Sequence, residues 1–164
     1  MKLKGAMGVL KRNREHLGFE TLESQIAFYK KHTLNAASTK VAEALEIFKK
    51  ARVLANNVWK LIQTSNLKQD FELINQINAS SGSVMDNIAE GFGRGGNKEF
   101  INFLGFAKGS CCETKSQLLR CLDRGYLGEE TFDELNQETQ ELIDQLGKFS
   151  NYLKNSEKRG SKFD

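Results

Sequence analysis

No proline occurs anywhere in the 164 residues of the chain. Because proline breaks helix interiors, its absence favours long uninterrupted helices and disfavours a fold rich in tight turns. Leucine, alanine, glutamate, lysine and glutamine are abundant, and all of them have high helix propensity. The length fits one domain with a short appendage.

Metal-ligating and disulfide-forming residues are scarce as well. The two histidines, His16 and His32, lie far in sequence from the three cysteines, Cys111, Cys112 and Cys121. This spacing does not match a zinc site, and an odd number of cysteines with two adjacent offers no disulfide framework. We therefore expect no metal, no cofactor and reduced thiols in a cytoplasmic protein.

Long hydrophobic runs are absent too. The apolar stretch at 5–10 is too short for the core of a signal peptide, and no other stretch has the length that a bilayer requires. We expect no membrane partner.

The net charge of +3 is mild, but its distribution is uneven. Seven acidic residues and no basic one lie between 129 and 144, whereas both ends of the chain are basic. The basic residues near the ends are Lys2, Lys4, Lys11, Arg12, Arg14, Lys158, Arg159 and Lys162. Two interpretations remain open, namely solvated tails beside an exposed acidic helix, or a basic end that contacts a phosphate backbone.

Four apolar stripes, each alternating spacings of three and four residues, indicate four amphipathic helices. The first stripe consists of Val41, Ala44, Phe48, Ala51, Ala55, Val58 and Ile62. The second consists of Ile74, Ile77, Ser81, Val84 and Ile88. The third consists of Phe100, Leu104, Ala107, Cys111, Thr114, Leu118 and Cys121. The fourth consists of Phe132, Leu135, Thr139, Leu142, Leu146, Phe149 and Leu153.

These stripes predict an all-α fold, an up-down-up-down antiparallel four-helix bundle over residues 37–157. We expect a short N-terminal appendage at 1–36, partly helical or disordered, and a basic C-terminal tail at 158–164. The first helix is predicted at about 38–64. Asn97 is the expected N-cap of the third helix, and Gly125 its expected end.

Residues 91–96, Gly-Phe-Gly-Arg-Gly-Gly, formally satisfy the G-x-G-x-x-G pattern of dinucleotide-binding loops. That pattern needs a preceding strand and a βαβ unit, whereas here a helix precedes it. We interpret the segment as a loop between two helices. The triplet Arg94-Gly95-Gly96 leaves an RNA-binding interpretation open.

Polar residues accompany the second and third apolar stripes. The second helix carries Ser83, Asn87 and Glu90, and the third carries Ser110, Glu113 and Gln117. In antiparallel helices these side chains would meet as a hydrogen-bonded network that specifies one packing or one oligomer register. The catalytic alternative pairs Glu90 with Glu113 as acid and base. We favour the structural interpretation and expect no catalytic residue and no enzyme.

Trp59 follows the core position Val58 and is expected to be a half-buried packing residue. The predicted phosphate contacts are basic residues at the glycine loop and on the third helix, where two of them lie seven residues apart on one face. These candidates are Arg94, Lys98, Lys108 and Lys115.

The central segment of the chain resembles the bacterial four-helix-bundle family of 23S rRNA intervening-sequence proteins. The resemblance covers roughly 38–155. The matching residues are Ser83-Val84-x-x-Asn87-Ile88-Ala89-Glu90-Gly91-Phe92-Gly93-Arg94, Lys98-Glu99-Phe100, Phe103-Leu104, Ala107-Lys108-Gly109-Ser110, Glu113 and Gln117-Leu118. Departures from the family pattern are Met85, where the family often has proline, and the Cys111-Cys112 pair.

This resemblance implies a homo-oligomer, a pentamer, and a link to nucleic acid, either RNA or DNA. It also connects the chain with the accessory variability protein of diversity-generating retroelements, whose partners are a reverse transcriptase and its template RNA. No catalytic residues are implied. The leading hypothesis is thus an oligomeric nucleic-acid-interacting protein, and the alternative is a scaffold that binds a protein partner such as a reverse transcriptase.

Overall fold

The computed structural model describes residues 39–156, which form four long helices packed side by side. Helix α1 spans Thr39–Thr64, α2 Phe71–Gly93, α3 Asn97–Asp123 and α4 Glu129–Lys154. A short 3-10 helix, Asn66–Gln69, joins α1 to α2. Sequential helices pack against each other and α1 also packs against α4, which closes the bundle. No strand occurs within 39–156. The predicted all-α up-down-up-down bundle is confirmed; the predicted appendage and tail lie outside the described residues.

The core consists of the predicted stripes with additions. All seven residues of the third stripe are buried, and in the fourth only Phe132 is partly exposed. On α1 the prediction is wrong at Phe48 and Ala55, which are only partly buried, and it omits Ile47, Leu54 and Leu61, which are buried. The cause is that α1 contacts both α2 and α4, so its buried sector is wider than one stripe.

Glycine residues allow the chain to turn at both ends of α3. Gly95 and Gly125 both have positive φ, 76° and 70°, a region that residues with a Cβ rarely adopt. After α3, the Gly125 and Tyr126 amides donate to the Leu122 and Cys121 carbonyls, each at 2.9 Å, which forms a Schellman motif. Before α3, Gly96 is the N-cap rather than the predicted Asn97, which is already helical and buried.

Asp70 connects the start of α2 to the end of α3. Its carboxylate caps α2 by accepting from the Leu73 amide at 3.1 Å. It also binds the Arg124 guanidinium and accepts from the Tyr126 hydroxyl at 3.3 Å. The Leu73 amide, followed by Arg124, lowers the pKa of Asp70 below its usual value, although partial burial opposes the shift. Asp70 thus holds α2 and α3 together at one end of the bundle.

Candidate functional site

The centre of the α2–α3 contact is polar. The Ser80 hydroxyl lies 2.9 Å from the Thr114 hydroxyl and donates to Gln117 Oε1 at 2.5 Å. Ser80 and Thr114 are buried, with exposed fractions of 4% and 0%. Two hydroxyls and an amide therefore occupy a position where a four-helix bundle ordinarily has apolar side chains.

A second group of bonds lies closer to the glycine loop. Ser110 Oγ donates to Ser83 Oγ at 3.1 Å. Asn87 Nδ2 donates to the Ser83 carbonyl at 2.8 Å and lies 3.0 Å from Ser83 Oγ. Asn87 thereby satisfies a helix carbonyl and supports the hydroxyl that meets α3. We call the six residues of these two groups the polar seam: Ser80, Ser83, Asn87, Ser110, Thr114 and Gln117.

The polar side chains of the seam satisfy their hydrogen bonds within the bundle. Within the described part of the chain, no fully buried side-chain nitrogen or oxygen lacks a hydrogen-bond partner. Because a misaligned register would leave these groups unpaired in a low-dielectric interior, such an arrangement penalises shifted packings of α2 on α3. What the seam can do chemically is position helices, since its polar atoms bind each other.

Gly91 brings α2 and α3 into close contact next to the seam. A Cβ at this position would lie 2.5 Å from Phe103 Cβ and 2.7 Å from Phe100 Cδ2. Phe100 is fully buried and packs edge-to-face on Phe92 and Phe149, with ring centroids 5.9 and 5.4 Å apart. Glycine is therefore required here by space.

Two of the six residues predicted for the network lie outside the polar seam. Glu90 is about half exposed and forms an i,i+4 ion pair with Arg94. Glu113 is exposed and makes no hydrogen bond or ion pair within 39–156. Glu113 is three residues after Ser110 and about 60° around α3 from it, where α2 does not cover it. The structure brings together the other four, Ser83, Asn87, Ser110 and Gln117, and adds Ser80 and Thr114.

The four predicted phosphate contacts divide into two pairs. Arg94 binds Glu90, lies over the Phe103 ring at 5.2 Å, and has its pKa raised by the hydrogen bond to Glu90. Lys115 donates to Gln140 Oε1 at 2.8 Å. Lys98 and Lys108 are exposed and have no ion pair or hydrogen bond among the described residues. Arg94 and Lys115 are thus engaged within the bundle, whereas Lys98 and Lys108 remain available to a ligand.

Further available cations were not predicted. The side chains of Arg52, Lys60 and Lys68 also make no hydrogen bond or ion pair within the described range. On the same helix as Arg52 and Lys60, Trp59 has an exposed fraction of 51%, which agrees with the half-buried position predicted for it. The one available signal was spacing, because Arg52 and Trp59 lie seven residues apart on one helix face.

The thiols are divided by burial. Cys111 and Cys121 are buried, and burial raises their pKa to about 12 and about 11. Such thiols stay protonated and behave as small apolar side chains. Cys112 is exposed. Among the described residues, no group of three histidine, cysteine or acidic side chains is arranged to hold a metal ion.

An open groove of about 490 Å³ lies between the end of α1 and the start of α4. Its charged lining residues are Lys60, Glu134 and Glu138, and Asn57 donates to Glu138 Oε2 at 3.0 Å across it. No residue of the polar seam lines this groove. Within the part of the chain that is described, no helix is long and apolar enough to cross a membrane.

Comparison with known proteins gives one family and a related fold. The model of the family described as 23S rRNA-intervening sequence protein matches residues 43–148, more than half of the chain. A solved structure of a protein of unknown function from the S23 ribosomal protein family of Bacteroides thetaiotaomicron matches at a TM-score of 0.62 and 22% identity. The match covers 66% of this chain and 98% of that one, and at this identity it shows the fold alone. No curated protein matches the chain.

Proposed function

The chain belongs to the 23S rRNA-intervening sequence protein family, and from this membership we propose that it is a non-enzymatic, oligomeric, cytoplasmic protein of bacteria that interacts with nucleic acid. The family description names a ribosomal RNA, which makes RNA the first ligand to test. The observation that carries the proposal is the set of exposed cations without a partner in the bundle, beginning with Lys98 and Lys108. Such cations can displace counterions from phosphates without first breaking an internal ion pair.

The charge balance indicates that nucleic acid would contact the bundle only at particular sites. Residues 39–156 include 14 basic and 16 acidic residues, a net charge of −2, whereas the whole chain has +3. The remaining +5 comes from 1–38 and 157–164. No uniform positive field therefore surrounds the bundle, so we expect binding to depend on particular cations and on the basic ends of the chain.

The non-enzymatic part of the proposal is supported by the partners of the polar residues. Seam hydroxyls and amides bind each other, and Glu90 binds Arg94. A catalytic acid or base needs instead a position within reach of a substrate in a sheltered site. Glu90 and Glu113 are exposed on helix surfaces.

Oligomerisation is supported by large apolar side chains that the bundle leaves in solvent. Phe71, Phe106 and Leu119 have exposed fractions of 76%, 60% and 49%. Exposed apolar groups of this size are typical of surfaces that another chain covers. We propose a pentamer, as the family resemblance implies. Light scattering on the purified full chain measures this directly, and a monomer at all concentrations would contradict it.

Nucleic-acid binding is tested by fluorescence anisotropy with a labelled structured RNA and a labelled DNA duplex, from low to moderate salt. The expected result is an affinity that falls linearly with salt on logarithmic axes. For the double variant Lys98→Ala/Lys108→Ala the slope should fall by about 0.7–0.9 for each phosphate that is no longer neutralised. The matched control is Lys148→Ala/Lys154→Ala, which removes from α4 two cations that have no partner among residues 39–156. Undetectable binding of both nucleic acids at low salt would contradict the proposal.

A protein partner is the second candidate, and the charge of α4 favours it. Four acids in its first half have no hydrogen bond or ion pair to another described residue: Glu129, Glu130, Asp133 and Glu134. Such a surface suits a basic partner, for example a reverse transcriptase. A pull-down with the full chain and with the four acids changed to amides separates the two candidates, because the amide variant should lose a basic partner and keep nucleic-acid binding.

A further inference from the structure

The half-exposed indole of Trp59 is the starting point. Val58, the preceding residue, is fully buried, whereas Trp59 has 51% of its side chain in solvent. Asn56 and Gln63, about one turn before and after it, are exposed and polar. A large aromatic ring that does not complete the core and pairs with no other ring among residues 39–156 is a surface for a ligand to cover.

Contacts between α1 and α4 show which way this ring lies. Lys50 Nζ lies 3.6 Å from Glu141 Oε2, and Asn57 bonds to Glu138, so residues 50 and 57 are directed toward α4. Arg52 and Trp59 follow these two residues by two positions each, about 200° around the helix. Both therefore lie on the side of α1 away from α4. They are seven residues apart, which is about 10 Å along one face.

The cation available beside Trp59 is Arg52, whose side chain makes no ion pair or hydrogen bond within the described range. Lys60, the residue after Trp59, lies about 100° further around α1 and lines the α1–α4 groove with Glu134 and Glu138.

Several acids of α1 and α2 bind other residues. On α1, Glu46 is paired with Lys49 at 2.9 Å. On α2, Glu90 binds Arg94.

Glu72 of α2 is engaged on the α3 side of that helix. It accepts from Gln76 Nε2 at 3.4 Å, and Gln76 in turn accepts from Arg120 of α3 at 2.5 Å. The face of α1 that carries Arg52 and Trp59, which we call the Trp59 face, thus combines an exposed aromatic ring with a cation that has no partner among the described residues.

We propose that the Trp59 face binds single-stranded nucleic acid, with one base stacked on the Trp59 indole and a backbone phosphate beside Arg52. This inference rests on the proposed function and names the form of nucleic acid that one surface takes. A positive charge for the backbone beside an aromatic ring that offers its face is a combination that binds unpaired bases. In a duplex the bases are already stacked on each other, so the ring would gain little.

The composition of the face favours nucleic acid over a protein partner. The centres of protein–protein interfaces are apolar and depleted in lysine, although tryptophan and arginine are enriched there. Around Trp59 the helix instead carries the exposed polar residues Asn56, Lys60 and Gln63. Charge complementarity therefore points to a polyanion with flat bases.

Trp59 is the one tryptophan of the chain, so its fluorescence reports on this face without a label. The full-length protein is titrated with a single-stranded oligonucleotide of mixed sequence and with a blunt hairpin duplex carrying the same number of phosphates. We expect the single strand to quench the tryptophan emission and the hairpin to quench it much less. Trp59→Ala should lower the affinity for the single strand by roughly 5- to 100-fold, since stacking contributes that much per base.

Two variants control this measurement. Trp59→Phe keeps a stacking ring and should recover most of the affinity. Phe106→Ala removes another exposed ring, 60% exposed on α3, and should leave the affinity unchanged. Circular dichroism checks that each variant remains folded.

The outcomes separate the inference from the proposed function. Binding with unchanged emission and an unchanged affinity for Trp59→Ala would overturn the inference and leave the proposed function standing. A loss of single-strand affinity for Phe106→Ala with no loss for Trp59→Ala would overturn it, because the stacking ring would then lie on α3. A change of emission on dilution of the protein alone would overturn it by showing that a second copy covers the face. No binding to either nucleic acid would overturn both.

Discussion

The polar seam and the Trp59 face reverse the usual distribution of polar and apolar groups. The seam buries Ser80, Ser110 and Thr114 between two helices, while the other face leaves the largest side chain of the protein half in solvent. In the seam each buried polar group has a partner, so nothing is left for a ligand. On the Trp59 face Arg52 has none among the described residues. The comparison shows that a polar side chain packs helices where it has a partner within the bundle and can bind a ligand where it has none. Residue type alone does not separate these two roles.

The largest effect is expected where the seam helices approach most closely. Gly91→Ala introduces a Cβ that overlaps Phe103 Cβ, an atom that moves only with the backbone. We expect a loss of about 1–3 kcal/mol in the free energy of unfolding, measured by urea denaturation. Gly82→Ala is the matched control because its Cβ would meet nothing within 4 Å, and it should gain about 0.5–1 kcal/mol. Equal effects at the two glycines would contradict the close contact.

An intermediate effect is expected from removing one hydroxyl of the polar seam. Ser80→Ala takes the donor from Gln117 Oε1 and the neighbour from the Thr114 hydroxyl. Because Thr114 keeps its bond to the Ser110 carbonyl and Gln117 is only partly buried, the loss should be that of one hydrogen bond, about 0.5–1.5 kcal/mol in the free energy of unfolding. Ser116→Ala, an exposed serine on α3, is the control and should stay within about 0.5 kcal/mol of the parent. If Ser80→Ala behaves like this control, the seam does not stabilise the α2–α3 contact.

A smaller, pH-dependent effect is expected at Asp70. Its pKa is lowered in the folded protein, so its charged form adds stability above the unfolded value of about 3.9, and that contribution disappears as pH falls through the folded pKa. Asp70→Asn should therefore lower the melting temperature near neutral pH and match the parent in acid.

The control for Asp70→Asn is Glu113→Gln, since Glu113 is exposed and makes no hydrogen bond or ion pair with another described residue. Its melting temperature should follow that of the parent at all pH values. A difference between Asp70→Asn and the parent that does not change with pH would exclude the charge of Asp70 as its cause.

Much of the fold follows from hydrophobic periodicity, which predicts α3 best. This helix lies between α2 and α4 with one continuous apolar stripe, so the pattern and the burial coincide. For α1 the same reasoning fails at Ala55 and omits Leu54. This helix contacts two others, α2 and α4, and the sequence of α1 alone does not show which of its surfaces the second neighbour covers.

The polar seam was predictable only in part, because its residues also depend on which surfaces a neighbouring helix covers. Spacing alone placed Asn87 beside Ser83 and Gln117 beside Ser110, and the structure brings all four to the α2–α3 contact. The same spacing also included Glu90 and Glu113, which the neighbouring helix does not cover. Periodicity gives the direction of a side chain on its own helix. Whether a neighbouring helix covers that side chain depends on how the two helices cross.

Ser83→Ala, measured for stability and for RNA affinity in the same preparation, tests most directly the claim that the polar seam packs helices and does not bind ligands. The substitution removes the acceptor of the Ser110 hydroxyl while leaving Lys98 and Lys108 in place. We predict a lower free energy of unfolding and an unchanged dissociation constant for the labelled RNA. Unchanged stability with a weakened affinity for the RNA would contradict the account, because it would place the ligand on the seam itself.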